Sequence, residues 1–197
     1  MKDSKHVVTG VSTGLMRPLL AGSLALASAG SALAASDMFL FLDGIKGEST
    51  DAKHKDWIDL KSYSLGFSRS DTLGSGGGGM GKVNCGDVSV LKTIDSSSPR
   101  LMQAVMLGER VGKATISFRA GSTGKASSSV DYYTVDMAGV QVDSVAQSDA
   151  SGDASRVTES VSLRAEKFHF SYRTQLPDGS FSPPKVFDFD CMSGKGS

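Results

Sequence analysis

Apolar and polar positions alternate with a period of two along most of the chain beyond residue 36, interrupted by turn-forming clusters. Residues 37–43 (Asp-Met-Phe-Leu-Phe-Leu-Asp) are a short, nearly continuous apolar run ended by Gly44, which predicts a strand buried on both faces. Residues 44–55 are polar with alternating charges and read as a loop. Residues 57–70 regain strand character. Ile58 and Leu60 share a face, and Leu65 and Phe67 share one after a bulge near Tyr63 and Ser64. Residues 83–94 are the next strand, with Val88 and Val90 alternating against Ser89. The period then changes. Asp95-Ser96-Ser97-Ser98-Pro99 is a helix start, with a serine cap and proline at the first helical position. Leu101, Met102, Val105 and Met106 fall on one side of that helix, and Gly108 is its stop.

Strand patterns resume at 112–120, with Ile116 and Phe118 on one face, before a Gly/Ser turn at 121–129. Residues 130–147 read as one long segment bent at Gly139. The clearest alternation lies in 156–175. Val161, Leu163, Ala165, Phe168, Phe170 and Tyr172 mark the apolar side, and Lys167, His169, Ser171 and Arg173 the polar side. Pro177-Asp178-Gly179 is a turn, because proline presets φ and glycine accepts positive φ. Residues 181–190 close the hairpin, and Pro183-Pro184 keep its start at a sheet edge. The sum is about seven strands and one helix with hairpin-like connections: a mainly β, antiparallel, barrel-like or sandwich domain.

The first 34 residues have a different composition. Lys2, Lys5 and Arg17 precede an apolar, small-residue run at 19–29 and then Ala32-Leu33-Ala34. This is the order of a secretory signal peptide, with cleavage between Ala34 and Ala35. The apolar run is too short to span a bilayer, which takes about 20 residues. The organisation is therefore 1–34 as leader, or an unfolded tail from a mis-assigned start, and 35–197 as one domain. The full chain has 21 basic and 21 acidic residues. Such a balance gives no support to nucleic-acid binding, and no segment after the leader is apolar enough to hold the mature form in a membrane.

One stretch suggests chemistry. Gly76, four residues, Gly81 and Lys82 open the phosphate-loop pattern G-x-x-x-x-G-K-[ST]. The pattern then fails twice: Val83 stands where Ser or Thr would hold magnesium, and a strand follows where a helix N-terminus is needed. The better reading is a long loop between strands. Of the three histidines, His6 is in the leader, His54 in the charged loop and His169 on a polar strand side, and none has a catalytic spacing. Asp188 and Asp190 share a strand face without an opposing carboxylate, so a solvated face is favoured over a glycosidase pair. Asp149 and Asp153 are too sparse for a calcium loop. Cys85 and Cys191 have no metal spacing. They are two partly buried thiols, or one disulfide if the chain is exported. No catalytic, cofactor-binding or metal-binding residues are assigned, and an enzyme is not expected.

Several stretches together resemble one family. They are Asp37-Met-Phe-Leu-Phe-Leu-Asp-Gly-Ile-Lys-Gly-Glu-Ser49, then Gly66-Phe67-Ser68 with the glycine run to Gly81-Lys82-Val83. They continue with Asp87 to Ile94, Asp95 to Met102, Ala114 to Gly121 and Thr158 to Leu163, in order. The pattern is similar to the Hcp (hemolysin-coregulated protein) tube proteins of bacterial type VI secretion. That resemblance implies an antiparallel two-sheet β-barrel with one flanking α-helix and no catalysis. It implies six subunits in a ring, rings stacked into a hollow tube, and a contractile sheath, a tip spike protein and small effectors as partners. By position in the family, the loop carrying Lys46 and Glu48 and the run Gly76, Gly77, Gly78 and Gly79 are candidates for contacts between stacked rings. The alternative is an exported Hcp-like binding module or effector chaperone that does not polymerise. The expected location is secreted: periplasmic where the leader is used, or cytoplasmic before secretion where the start is mis-assigned.

Overall fold

The computed structural model describes residues 37–70, 82–120, 130–149 and 157–197. The leader, the cleavage point at Ala34 and Ala35, and the glycine run with Gly76, Gly77, Gly78 and Gly79 lie outside the described residues. The elements are β1 Asp37–Leu42, β2 Ile58–Ser64, β3 Phe67–Arg69, β4 Val83–Cys85, β5 Val88–Thr93, α1 Ser98–Leu107, β6 Lys113–Arg119, β7 Asp131–Ala138, β8 Gln141–Ser148, β9 Thr158–Arg164, β10 Lys167–Tyr172, β11 Lys185–Asp190 and β12 Lys195–Gly196.

Ten strands form one antiparallel sheet in the order β12-β11-β10-β7-β6-β1-β2-β5-β9-β8, and β3-β4 form a second sheet. This is the expected mainly β architecture of two antiparallel sheets and one helix. The ladder stays open between β12 and β8 rather than closing. The described residues hold twelve strands rather than about seven, because four patterned segments each divide in two and β12 adds one after residue 190. The segment 130–147 becomes β7 and β8, which sit far apart in the strand order, and 156–175 likewise becomes β9 and β10. Both divisions fall at one corner. Gly139 has φ +64° there and its N–H donates to Gly112 O at 3.0 Å, while Glu166 N–H donates to Ala138 O at 3.0 Å. A strand that bends at a corner continues in the other half of the sheet without losing its alternation.

Inward positions follow the period of two. Leu40, Ile58, Val88, Ile116, Val135, Val140 and Leu163 are each at most 1 % exposed and share one core. Burial of each such side chain contributes about 1.5–3 kcal/mol. In β1 the two faces differ: Phe39, Leu40 and Leu42 are buried while Phe41 is exposed. The irregularity in β2 falls between Leu60 and Ser62, slightly earlier than its pattern predicts.

Helix α1 packs against β8. Its buried residues are Ser98, Leu101 and Ala104, whereas Met106 and Leu107 are exposed. The buried stripe is therefore rotated from the Leu101, Met102, Val105, Met106 face. The N-cap is Ser97, with no side-chain cap bond, and its hydroxyl donates to Asp95 Oδ1 instead. Beneath this helix start lies a sealed polar cluster. Lys92 on β5 stands opposite Glu159 on β9, and both side chains are fully buried. Lys92 Nζ lies 2.9 Å from Glu159 Oε2, 2.9 Å from Asp95 Oδ1 and 3.0 Å from Ser98 Oγ. Gln147 Nε2 donates to Glu159 Oε1 at 2.9 Å. Each charge in this cluster thus has partners, as burial requires.

Candidate functional site

The β3-β4 hairpin pairs Phe67 with Cys85, Ser68 with Asn84 and Arg69 with Val83. Val83 begins a strand, so no helix N-terminus follows Lys82. The base of the hairpin is tight. Gly86 N–H donates to Gly66 O at 2.9 Å, and a Cβ on Gly86 would stand 2.4 Å from that oxygen. Phe67 meets Phe168 and Phe170 edge-on, with ring centroids 5.1 and 5.9 Å apart. An apolar groove of about 220 Å³ lies between the hairpin and β10-β11, lined by Phe67, Val83, Phe170, Phe187 and Phe189. Cys85 and Cys191 are joined by a disulfide, with Cα atoms 6.2 Å apart, across the two sheets.

The loop between β1 and β2 is pinned by a cluster that sequence reading missed. His54, expected in a solvated charged loop, is only 2 % exposed. Its ring stacks on Phe39 at 4.3 Å and meets Trp57 edge-on at 4.6 Å. Arg119 Nη2 lies 2.9 Å from His54 Nδ1, and His54 Nε2 lies 3.2 Å from Asp131 Oδ2. His54 Nδ1 also lies 3.1 Å from Asp51 Oδ1, so Arg119, Asp51 and Asp131 together face the two ring nitrogens. Arg119 also pairs with Asp51. Burial pushes the Asp51 carboxyl up. Hydrogen bonds from Arg119 and from the N–H groups of Lys53 and His54 outweigh it and hold the group well below its ordinary range. Nothing in the sequence marks this cluster, because Arg119 falls with Lys113, Thr115 and Ser117 on the polar side of its strand. Lys46 and Glu48 remain exposed on this loop. Lys46 Nζ is 3.4 Å from Asp56 Oδ2, and Glu48 Oε1 accepts the Ser96 N–H at 3.0 Å, tying the loop to the approach to α1.

A row of polar pairs runs across β6, β7, β10 and β11. His169 Nδ1 is 2.8 Å from Asp188 Oδ1, Lys167 Nζ is 3.3 Å from Asp190 Oδ2, and Thr115 donates to Asp136 Oδ1 at 2.6 Å. Asp188 and Asp190 thus have separate partners, His169 and Lys167. Among the described residues, no group of three His, Cys, Asp or Glu side chains is arranged to hold a metal. No helix among them is long and apolar enough to cross a membrane. What the arrangement offers is surfaces: an aromatic groove, an anchored loop and a row of paired charges.

A family model described as "Type VI secretion system effector, Hcp" matches residues 39–172, the greater part of the chain. The chain belongs to the Hcp family. Protein hcp1 of Pseudomonas aeruginosa is 37 % identical over 148 residues, covering 74 % of this chain and 88 % of that protein. A solved structure of a type six secretion system protein superposes with TM-score 0.74 at 25 % identity, covering 83 % of this chain and 100 % of that one. The crystal structure of Hcp1 from Salmonella typhimurium gives TM-score 0.67 at 24 % identity, covering 83 % and 99 %, a likeness of fold. The Hcp match runs from β1 through β10. Phe187, Phe189 and Cys191 lie beyond it, so one wall of the groove and one half of the disulfide fall outside the matched segment.

Proposed function

We propose that this Hcp-family chain is a structural component of type VI secretion whose subunits form hexameric rings that stack into an inner tube and carry small effectors. The observation that carries the reading is the extent of the family match, which takes in the chain from β1 to β10. A closed ring needs two unlike surfaces on each subunit, because its contacts are heterologous. The chain offers two unlike apolar surfaces. The aromatic groove lies beside β11, towards one end of the strand order. Met106 and Leu107, 80 % and 65 % exposed, close the helix that packs on β8 at the other end. Lys46, Glu48 and the glycine run with Gly76, Gly77, Gly78 and Gly79 are proposed to meet the next ring. The sheath, the spike and effectors are the proposed partners, and no catalytic residue is assigned. Size-exclusion chromatography with light scattering is expected to give the mass of six subunits; a monomer at every concentration overturns the reading.

A second reading is an exported Hcp-like module that binds a client without polymerising. The intrachain disulfide favours it, because such bonds persist in oxidising compartments. A stable monomer in the same experiment, bound one-to-one to an effector, supports it.

A further inference from the structure

We propose that the Cys85–Cys191 disulfide is a redox latch: it clamps the β3-β4 hairpin against β10-β11, and its reduction releases the hairpin while the ten-stranded sheet stays folded. The inference concerns one subunit and holds for either functional reading.

The argument starts from how little else holds the hairpin. Its strands are three residues each, and all of β3 is exposed. They pair with each other and not with the large sheet. A lone two-stranded hairpin is marginal in water. The chain enters and leaves through Gly66 and Gly86, a hinge closed by one backbone hydrogen bond. Among the described residues, the packing on the far side is Phe67 against Phe168 and Phe170, with Val83 bordering the groove. The further restraint among them is covalent, and it sits where a latch works. Cys85 shares a side of β4 with Val83, and Cys191 continues the side of Phe187 and Phe189 beyond β11. The bond therefore sets the separation of the two walls of the aromatic groove. The large sheet does not need it. The β10-β11 ladder runs in register from Lys167–Asp190 to Tyr172–Lys185 without a contribution from Cys191.

The bond also lies beside open space. Both cysteines are only partly buried and border a solvent-open cleft of about 360 Å³, shared with Lys82, Arg110, Gln141 and Glu166. A dithiol reductant attacks one sulfur as a thiolate, forming a mixed disulfide, and its second thiol displaces the protein sulfur. Two electrons and two protons pass to Cys85 and Cys191, which become thiols, and the reductant becomes a disulfide. With the latch open, the Phe67 and Val83 wall swings away and Phe168, now 2 % exposed, is uncovered.

The test is hydrogen–deuterium exchange by mass spectrometry on the full chain, oxidised and after dithiothreitol. Peptides covering 65–70 and 82–87 are followed through the first minute, with peptides from β6 and β9 as internal reference. Reduction is expected to speed exchange in the hairpin peptides at least tenfold, to leave β6 and β9 unchanged, and to reverse on re-oxidation. The Cys85→Ser/Cys191→Ser variant is expected to match the reduced protein and to ignore dithiothreitol. Unchanged hairpin protection after reduction overturns the proposal, because aromatic packing then suffices. Equal loss of protection in β6 and β9 also overturns it, because the bond is then a staple for the whole fold.

Discussion

Replacing Lys92 by methionine keeps most of the side-chain length and removes the cation from the fully buried pair with Glu159. Glu159 keeps Gln147 and Ser98 as donors but has no counter-charge. Asp95, which sits at the helix start, loses a partner at 2.9 Å. A buried carboxylate stripped of its cation costs about 3–5 kcal/mol, a large share of the roughly 5–15 kcal/mol that stabilises a domain. For a chain of this size that lowers Tm by roughly 6–20 °C. Removing both charges behaves differently. In Lys92→Met/Glu159→Leu the fully buried carboxylate is gone as well, and only Asp95, at the edge of the cluster, is left without its cation, so about 2 kcal/mol or more of the single-variant loss is recovered. Urea unfolding, followed by Trp57 fluorescence and by circular dichroism, gives both values. A loss under about 1 kcal/mol in the single variant refutes the reasoning, as does a double variant no more stable than either single one. The pH dependence has a definite sign. Burial pushes Glu159 up, but hydrogen bonds from Gln147, Lys92 and Ser98 outweigh it, so its folded pKa is lowered. The stabilisation is complete above the ordinary glutamate range and is lost as pH falls below it.

Two further outcomes follow from the corner and from the anchored loop. Gly139→Ala places a side chain at φ +64°, with its Cβ 2.5 Å from Glu166 Oε2. Glu166 can swing aside at the cost of an exposed contact with Arg110, so the backbone term dominates and the loss is about 1–2 kcal/mol by thermal melting. Asp51→Asn removes the carboxylate held by Arg119 and by the Lys53 and His54 N–H groups, and costs about 1.5–3 kcal/mol at neutral pH. Because the Asp51 pKa is lowered in the folded state, its contribution is present above the ordinary aspartate range and lost below it. The variant is therefore expected to lose less stability than the parent between pH 6 and pH 3, measured as the shift in urea midpoint.

The sequence discloses elements better than their connections. Period-two alternation locates the strands, and Pro177-Asp178-Gly179 locates a turn in which Gly179 has φ +83°. Alternation says nothing about where a strand bends into another part of the sheet, because a corner preserves it. That is why 156–175 divides near Glu166 with no mark in its pattern, whereas the bend in 130–147 is marked by Gly139 itself. The buried ion pair was visible in principle. Val88, Val90 and Lys92 share one side of β5, and Glu159, Val161 and Leu163 share one side of β9, so the alternation itself points both charges inward. His54 had no such signal. Its burial depends on a loop folding over the outer side of β1 and β6, a contact between residues 65 positions apart. The helix phase is only partly displaced. Leu101 is buried and Val105 packs against the core, as the pattern predicts, but Met106 is exposed and the surface set by β8 also takes in Ser98 and Ala104.

The two functional readings differ in the state of one bond. Export through the proposed leader at 1–34 would carry the chain into an oxidising compartment, where the Cys85–Cys191 disulfide persists. A tube that assembles in a reducing cytoplasm keeps those two cysteines as thiols, and the latch is then open while rings form. In an exported chain the latch is closed and the hairpin is held against Phe168 and Phe170. The glycine run joins β3 to β4, so the part of the chain proposed to reach the next ring hangs from the element that the latch controls. Oxidation state therefore enters the assembly question directly. A ring formed only by the reduced protein places the hairpin among the contacts between subunits, and rings indifferent to dithiothreitol place the hairpin outside them.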